Sequence, residues 1–391
     1  MTTQPASSLA LPLPHLAEQY LLDPAITFLN HGSFGAPPRP VFEAYQRWQR
    51  EIETNPVGFI GRRLPDLLAE ARAALAAYVG TQADNLAFVP NATHGINIVV
   101  RSLQLQPGDE ILATDHEYGA VNNTWRFHCE KTGATYINQP IPLPVASPEA
   151  FVEALWAGVT ERTKVIAISH ITSPTALCFP IDLVCQRAKA AGIITVIDGA
   201  HAPGQVDLHL ADWGVDFYVG NCHKWLSSAR GAGFLYARPD RQEMLEPLVV
   251  SHGWNRTNST QSQFLDYFTW TGTDDPSAYL SVPAAIAFQQ ENNWPAVRAA
   301  CHQLAQEAQS RILELSDSEP LSPDSMWVQL RSVPLPGQRE DYKHFWDKYQ
   351  IVVPILEWNG QTMIRLSIQA YNTPQHIDRL LTALTETIGQ S

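Results

Sequence analysis

The sequence predicts an α/β fold, with a large domain built on a mostly parallel sheet and a smaller α+β domain after it. Three observations predict it. Between residues 85 and 237, seven short β-branched runs alternate with helix-like segments, the rhythm of strands joined by helical crossovers. Several of those runs are apolar throughout, as strands covered by helices on both faces are. After residue 275 the rhythm gives way to long helical patterns and a few late strands.

Taken in order, segments 39–52 and 65–79 read as helices ahead of the sheet. The strand candidates are NLAFV (85–89), DEILAT (109–114), ATYIN (134–138), KVIAIS (164–169), IITVID (193–198), DFYVG (216–220) and GAGFLYA (231–237), which makes a seven-stranded sheet. Amphipathic patterns at 93–103, 118–131, 148–158 and 181–191 supply connecting helices. Helical patterns at 277–292 and 295–315 then lead to strands near 325–330, 351–356 and 362–368, and to a helix at 374–388. The expected division is 26–275 for the large domain and 276–391 for the small one, with residues 1–25 packed on the latter.

Hydrophobic residues make up 45% of the chain and charged residues 17%, the balance of a chain with a packed core. Asp and Glu outnumber Lys and Arg by 39 to 26, a formal net charge of −13. That argues against nucleic acid, which asks for a basic stripe, and against an anionic membrane surface. No apolar run approaches the ~20 residues of a membrane span. The five cysteines (Cys129, Cys178, Cys185, Cys222 and Cys301) are sparse and include no C-x-x-C, so a reducing compartment is expected. The start MTTQPASSLALPLPHLAEQY is a poor signal peptide, being broken by proline and lacking a basic region, and the expectation is a cytoplasmic protein. No metal is expected either: H-E-x-x-H is absent, and Cys178 and Cys185 are too far apart for a tight zinc knuckle. There is no G-x-S-x-G elbow, and Tyr236 spoils a dinucleotide fingerprint that would begin at Gly231.

The chemistry concentrates in IITVIDGAHAPGQVDLHLADWGVDFYVGNCHKWLSSARGAGFLYA (193–237). Asp198 ends one apolar strand and Lys224 follows the next, so both lie beyond strand ends, where open α/β sheets place ligands. Either one alone reads as a capping aspartate or a solvated lysine. Together they are two parts that pyridoxal phosphate needs. One is a lysine whose amine can shed its proton and form an imine with the aldehyde; the other is a buried carboxylate that keeps the ring nitrogen protonated. Their spacing alone is not decisive. Upstream, VPNATHGINIV joins a strand to an amphipathic helix starting near Thr93. Free N–H groups and the dipole of such a helix start suit a phosphate, although an ordinary Thr N-cap looks the same in isolation.

Seven ordered motifs carry a family resemblance: FLNHGSFG (28–35), NATHGIN (91–97), ISHITSPTA (168–176), DGAHAPGQ (198–205), GNCHKW (220–225), WTGTDDP (270–276) and IRLSIQAYNT (364–373). Over about residues 26–373 the sequence resembles the class V aminotransferase family of fold-type I pyridoxal phosphate enzymes, in its isopenicillin N epimerase-like branch. The resemblance implies roles by position. Lys224 holds the cofactor as a Schiff base and, once displaced by substrate, acts as the base at Cα. Asp198 pairs with the pyridine nitrogen, while His201 and Ser173 approach the ring oxygen. Thr93 and His94 hold the phosphate, Asn221 and His223 complete the cup, and Thr273 reaches it from a partner subunit, which implies a homodimer. Arg365 binds the α-carboxylate of a small amino-acid substrate, with Asn30 and His31 at the mouth.

Two departures from the family pattern bear on the reaction. Tyr118, in HEYGA, stands where many relatives stack a histidine on the cofactor ring; a phenol stacks but does not shuttle protons near neutral pH. The loop 349–364 lacks the cysteine with which desulfurases accept sulfur, and Cys222 belongs with His223 on the phosphate side, so a desulfurase is disfavoured. The expectation is an epimerase or racemase, with Tyr118 as the acid on the second face. The alternative is a C–S lyase acting on cystine or a cysteine conjugate, followed by transamination. A binding module without turnover predicts loss of Lys224, Asp198 or Arg365, and all three are present. Roles for Arg62, Arg63 and Arg230, and for Trp254, Tyr267 and Trp270 at the entrance, stay open.

Overall fold

The computed structural model describes residues 13–389, apart from 258 and 260. All seven expected strands form: β1 Leu86–Val89, β2 Glu110–Thr114, β3 Thr135–Gln139, β4 Thr163–Ser169, β5 Ile194–Gly199, β6 Phe217–Asn221 and β7 Gly233–Ala237. They make one sheet in the order β1-β7-β6-β5-β4-β2-β3. Strands β6, β5, β4, β2 and β3 run parallel, and β7 is antiparallel to both β6 and β1. Six strands therefore point one way, and their C-terminal ends share one edge. Strands β2, β6 and β7 are buried at every position, which explains their unbroken apolar runs, while the edge strand β3 is half-exposed.

Helix α1, Ala92–Ser102, buries Ala92, Ile96, Val99 and Val100 against the sheet, a three-and-four spacing that presents one face. Gly95 lets it come close, since a Cβ there would lie 2.8 Å from the Val219 side chain of β6. Helix α2, Gly119–Thr132, follows β2 and ends on Gly133 in the left-handed conformation.

The later part of the chain forms a three-stranded antiparallel sheet. Its strands are β8 Leu330–Leu335, β9 Ile355–Trp358 and β10 Gln361–Ser367, in the order β9-β10-β8. The long helix α3, Trp294–Ser316, buries Val297, Ala300, Cys301, Leu304, Ala308 and Ile312. Three details depart from the sequence expectation. The helix at 277–292 is two helices, Ser277–Leu280 and Val282–Glu291, with Pro283 in the first turn of the second. The strand expected near 325–330 lies at Leu330–Leu335 instead. Its Pro334 is tolerated because β8 is an edge strand, and residues 324–326 form a 3₁₀ turn. The strand expected at 351–356 divides before Pro354: Ile351–Val352 pairs with Thr27–Phe28, and the rest joins β9.

The two parts meet along the C-terminal edge of the large sheet. Ser332 of β8 donates its hydroxyl to the Pro174 carbonyl at 2.7 Å, and the Trp358 indole donates to the Asp115 carbonyl at 3.0 Å. Tyr20, ahead of the first strand, packs edge-on against Tyr371 with ring centroids 4.8 Å apart. The segment His31–Phe34 forms one helical turn ending on Gly35, whose φ is 66°. A Cβ at Gly35 would sit 1.8 Å from the His223 carbonyl oxygen, so this segment rests directly on the chain that carries Lys224. Gly35→Ala therefore combines a left-handed backbone with a backbone clash, and is expected to destabilise the fold by at least ~2 kcal/mol. In urea unfolding this appears as a lower midpoint at unchanged slope.

Candidate active site

A cavity opens at the C-terminal edge of the large sheet, lined by Thr93, Tyr118, Ser173, Asp198, His201, Asn221, His223 and Lys224, together with Ser33 and Phe34. Parallel pairing explains how residues so far apart in sequence meet. Asp198 and Asn221 stand at the ends of β5 and β6, Ser169 ends β4, and Thr93 lies in the first turn of the helix after β1. The strand order also reverses beside β4, the kind of switch point where such sheets open a crevice.

Lys224 is partly buried, and its Nζ lies 3.2 Å from Nε2 of His201. Burial pushes the amine down to about 8; Asp198 opposes that shift and Arg365 adds to it. Asp198 is buried on β5, where one carboxylate oxygen accepts the Ala200 N–H at 2.9 Å. Burial raises its carboxyl against the pull of that N–H and of Lys224. His201 is held neutral by burial, with Lys224 and Arg365 adding to the effect.

Arg365 projects from β10. Its guanidinium donates from one nitrogen to the Ser173 carbonyl (2.8 Å) and hydroxyl (2.9 Å), and from the other to the Ser33 hydroxyl (3.2 Å). Its Nε has no partner. Among the described residues no carboxylate pairs with it, and burial lowers it to about 10. A buried guanidinium without an anion is costly, and a fork of N–H donors suits an incoming carboxylate. Asn30 stands one step behind, accepting the Ser33 hydroxyl at 2.6 Å. Ser173 is thus committed to Arg365.

Four positions differ from the sequence expectation. His31 is not at the mouth. It is wholly buried, with Nδ1 3.0 Å from the Tyr371 hydroxyl and Nε2 3.0 Å from the Lys224 carbonyl oxygen. There it holds the main chain under Lys224, and burial keeps it neutral, near 4. The N-cap of α1 is Asn91 rather than Thr93, and its side chain accepts the His94 N–H at 2.9 Å. His94 turns its ring into a separate cavity beside Phe88, Trp270 and Asp274. The Asn221 side-chain oxygen is taken by the Ala92 N–H at 2.8 Å. The phosphate end therefore keeps the Thr93 N–H and hydroxyl, the Asn221 amide N–H2 and His223. That histidine donates Nδ1–H to the Ala232 carbonyl at 2.8 Å and is lowered by burial to about 4. Thr273 is exposed and lies outside the cavity of its own chain. Arg63 pairs with Glu51 at 2.7 Å, Arg62 and Arg230 are exposed, and Trp254 stacks on Tyr267.

Glu117 escaped the sequence reading although it adjoins Tyr118. Its buried carboxylate accepts the Thr114 hydroxyl (2.6 Å) and the N–H (2.8 Å) and hydroxyl (2.6 Å) of Ser169. Burial pushes it up to about 7. It anchors the loop after β2 to the end of β4, and so fixes where Tyr118, 49% exposed at the cavity, enters. Ser33 and Phe34 were within a quoted motif, but only the fold brings them to Arg365 and the cavity wall.

This donor set fits pyridoxal phosphate. Lys224 offers an amine lowered toward deprotonation, Asp198 offers a carboxylate oxygen for a ring N–H, and Thr93 stands in the first turn of a helix of 11 residues at the same cavity. No cysteine lines the cavity, and Cys222 is fully buried with its thiol pushed up by burial.

Residues 35–380 match the family model described as aminotransferase class-V. Over 386 residues the chain is 36% identical to an isopenicillin N epimerase of Amycolatopsis lactamdurans, covering 94% of this chain and 97% of that one. It is 34% identical to the isopenicillin N epimerase of Streptomyces clavuligerus, covering 95% and 97%. Among solved structures, the complex of the cystine C–S lyase C-DES with its reaction product cysteine persulfide is similar at a TM-score of 0.80. It is 21% identical and covers 92% of this chain and 97% of that one, a likeness of fold.

A guanidinium with no carboxylate partner, held just behind Ser33 and Ser173 of the cavity wall, makes a direct expectation. Amino acids and simple carboxylates stabilise the wild-type chain against heat in proportion to their binding. Arg365→Lys, which exchanges a planar fork for a point charge, weakens that binding by about 10-fold or more in a thermal-shift titration.

Proposed function

The chain belongs to the class V aminotransferase family, and we propose that it is a pyridoxal phosphate enzyme that inverts the Cα of an amino acid. The observation that carries this reading is the nearness of a partly buried lysine, lowered toward its deprotonation point, to a buried arginine that has no carboxylate partner among the described residues. The identity of about a third with two epimerases over nearly the whole chain favours inversion over other fates of the same proton transfer.

When bound, the cofactor supplies a ring that draws off the negative charge left at Cα. The chain's own residues do the rest. Arg365 takes the substrate carboxylate, and Ser173 and Ser33 hold its fork in place, which fixes the orientation of Cα. Lys224 takes the Cα proton, and an amine near 8 is poised for that at neutral pH. Asp198 would hold the cofactor by its ring nitrogen, and a positive ring N–H there would keep its carboxylate ionised. Tyr118 enters from the loop after β2 and Lys224 from the loop after β6, and those strands lie on opposite sides of β5. We assign Tyr118 as the proton donor of the second face. Desulfurase chemistry has no support, because no cysteine lines the cavity among the described residues.

The working unit in this reading is a homodimer in which Thr273 completes the phosphate site of the partner. Its support is twofold: Thr273 is exposed outside its own cavity, and the His94 N–H and Asn221 oxygen at the phosphate end are already committed. The setting is the cytoplasm, where the five unpaired thiols stay reduced. Among the described residues no helix is long and apolar enough to cross a membrane.

Two outcomes test the reading. The purified enzyme carries a visible absorbance band that Lys224→Ala abolishes; a band that survives the substitution, or no band in the wild type, overturns the cofactor assignment. With a panel of L-amino acids in deuterated water, an epimerase yields deuterated D-product. Tyr118→Phe then lowers D-product formation by about 10²-fold or more while Cα exchange from the Lys224 face persists. Pyruvate with released thiol, unaffected by Tyr118→Phe, identifies a C–S lyase instead.

A further inference from the structure

Trp225 follows the cofactor lysine directly, and the steps above make no use of it. Its side chain is fully buried, and its indole N–H donates to Nδ1 of His201 at 3.3 Å. An indole N–H can only donate, so Nδ1 must present a lone pair. A neutral imidazole carries a single ring proton, which therefore stands on Nε2. Nε2 is 3.2 Å from Nζ of Lys224. With the proton on the histidine side, the amine must be the acceptor, and an ammonium has no lone pair to accept with. A doubly protonated imidazolium offers no escape. It would set two N–H groups against each other at Trp225 and a third buried cation beside Lys224 and Arg365.

We propose that Trp225 is a positioning residue that favours the Nε2–H tautomer of His201 and thereby favours the uncharged, nucleophilic amine of Lys224 over its ammonium. The inference rests on the reading that Lys224 is the cofactor lysine. Burial lowers that amine, and the charges facing it oppose one another. Asp198 on β5 favours the ammonium, Arg365 on β10 opposes it, and His223 on the adjoining turn is neutral with its Nδ1–H spent on Ala232. The Trp225–His201 contact tips that balance. Without the indole, Nδ1 is free to carry the proton, Nε2 becomes an acceptor, and an ammonium at Lys224 gains a hydrogen bond. Once the cofactor is in place, the same fixed tautomer presents a donor rather than a lone pair to whatever acceptor the ring brings beside Lys224.

The test uses the full chain freed of cofactor. Nitrogen-15 spectra of labelled histidine, with the His201 signals assigned by their loss in His201→Gln, are expected to show a protonated Nε2 and an unprotonated Nδ1. At a pH of about 9, above the value near 8 to which Lys224 is lowered, an Nδ1–H tautomer or an imidazolium overturns the proposal, whatever becomes of any Trp225 variant. The second readout is the pH dependence of capture of added pyridoxal phosphate, followed by visible absorbance. Wild type rises through a midpoint near 8. Trp225→Phe is expected to move that midpoint up by about one unit, the size of one hydrogen bond's preference between the two states. A folded Trp225→Phe protein with an unmoved midpoint overturns the proposal. A wild-type chain that captures no cofactor defeats the cofactor reading instead, and the tautomer spectrum still decides this inference.

Discussion

A lysine amine, a carboxylate and a guanidinium share one buried cleft here, and much of the surrounding architecture answers that arrangement. Burial and the facing Arg365 lower the Lys224 amine, while Asp198 pulls the other way. None of the three can move far. Asp198 is fixed by the Ala200 N–H, Arg365 by Ser173 and Ser33, and the main chain beneath Lys224 by the ring of His31. Charges held in this way do not reorganise when substrate arrives, which is where electrostatic preorganisation has its value.

Such a site is expensive for the fold. Arg365 keeps an unpartnered Nε, and Glu117 is a buried acid raised toward neutrality. Both are the sort of local cost that folded proteins tolerate at working sites and offset elsewhere. The offset is visible in the packing: a large sheet with three strands buried at every position, and a long helix seated on the small sheet through residues three and four apart. The two parts are then joined at the cleft itself, through Ser332 to Pro174 and Trp358 to Asp115. Arg365 sits on β10, so those contacts set its distance from Lys224.

Much of the fold was legible because apolar periodicity carries it. All seven strands of the large sheet stand where unbroken β-branched runs placed them, within a residue or two. The misplacements fall at Pro283, Pro334 and Pro354, where a local rule about proline meets a tertiary exception: a first helical turn, an edge strand, and a break between two pairings. The site was legible to the extent that motifs place residues at strand ends. Asp198, Lys224, His201 and Tyr118 do line one cavity. His31 and His94 do not, because a residue beside a motif turn can face inward or outward and the sequence carries no sign of which. Glu117 was passed over for a related reason, since an acid next to an aromatic residue looks like any loop acid until Ser169 and Thr114 enclose it.

Residue order alone was enough to establish the α/β rhythm and the presence of a lysine and an aspartate just past neighbouring strand ends, because periodicity and strand termini are local properties of the chain. The protonation state of that lysine was not a local property. It follows first from burial, then from Asp198 and from Arg365, 141 positions away on another sheet, and in our proposal from a hydrogen bond that Trp225 makes to His201 only after two loops fold together. Charge in a buried site depends on what stands within a few ångströms through a medium of low polarisability. Only the tertiary structure sets those distances.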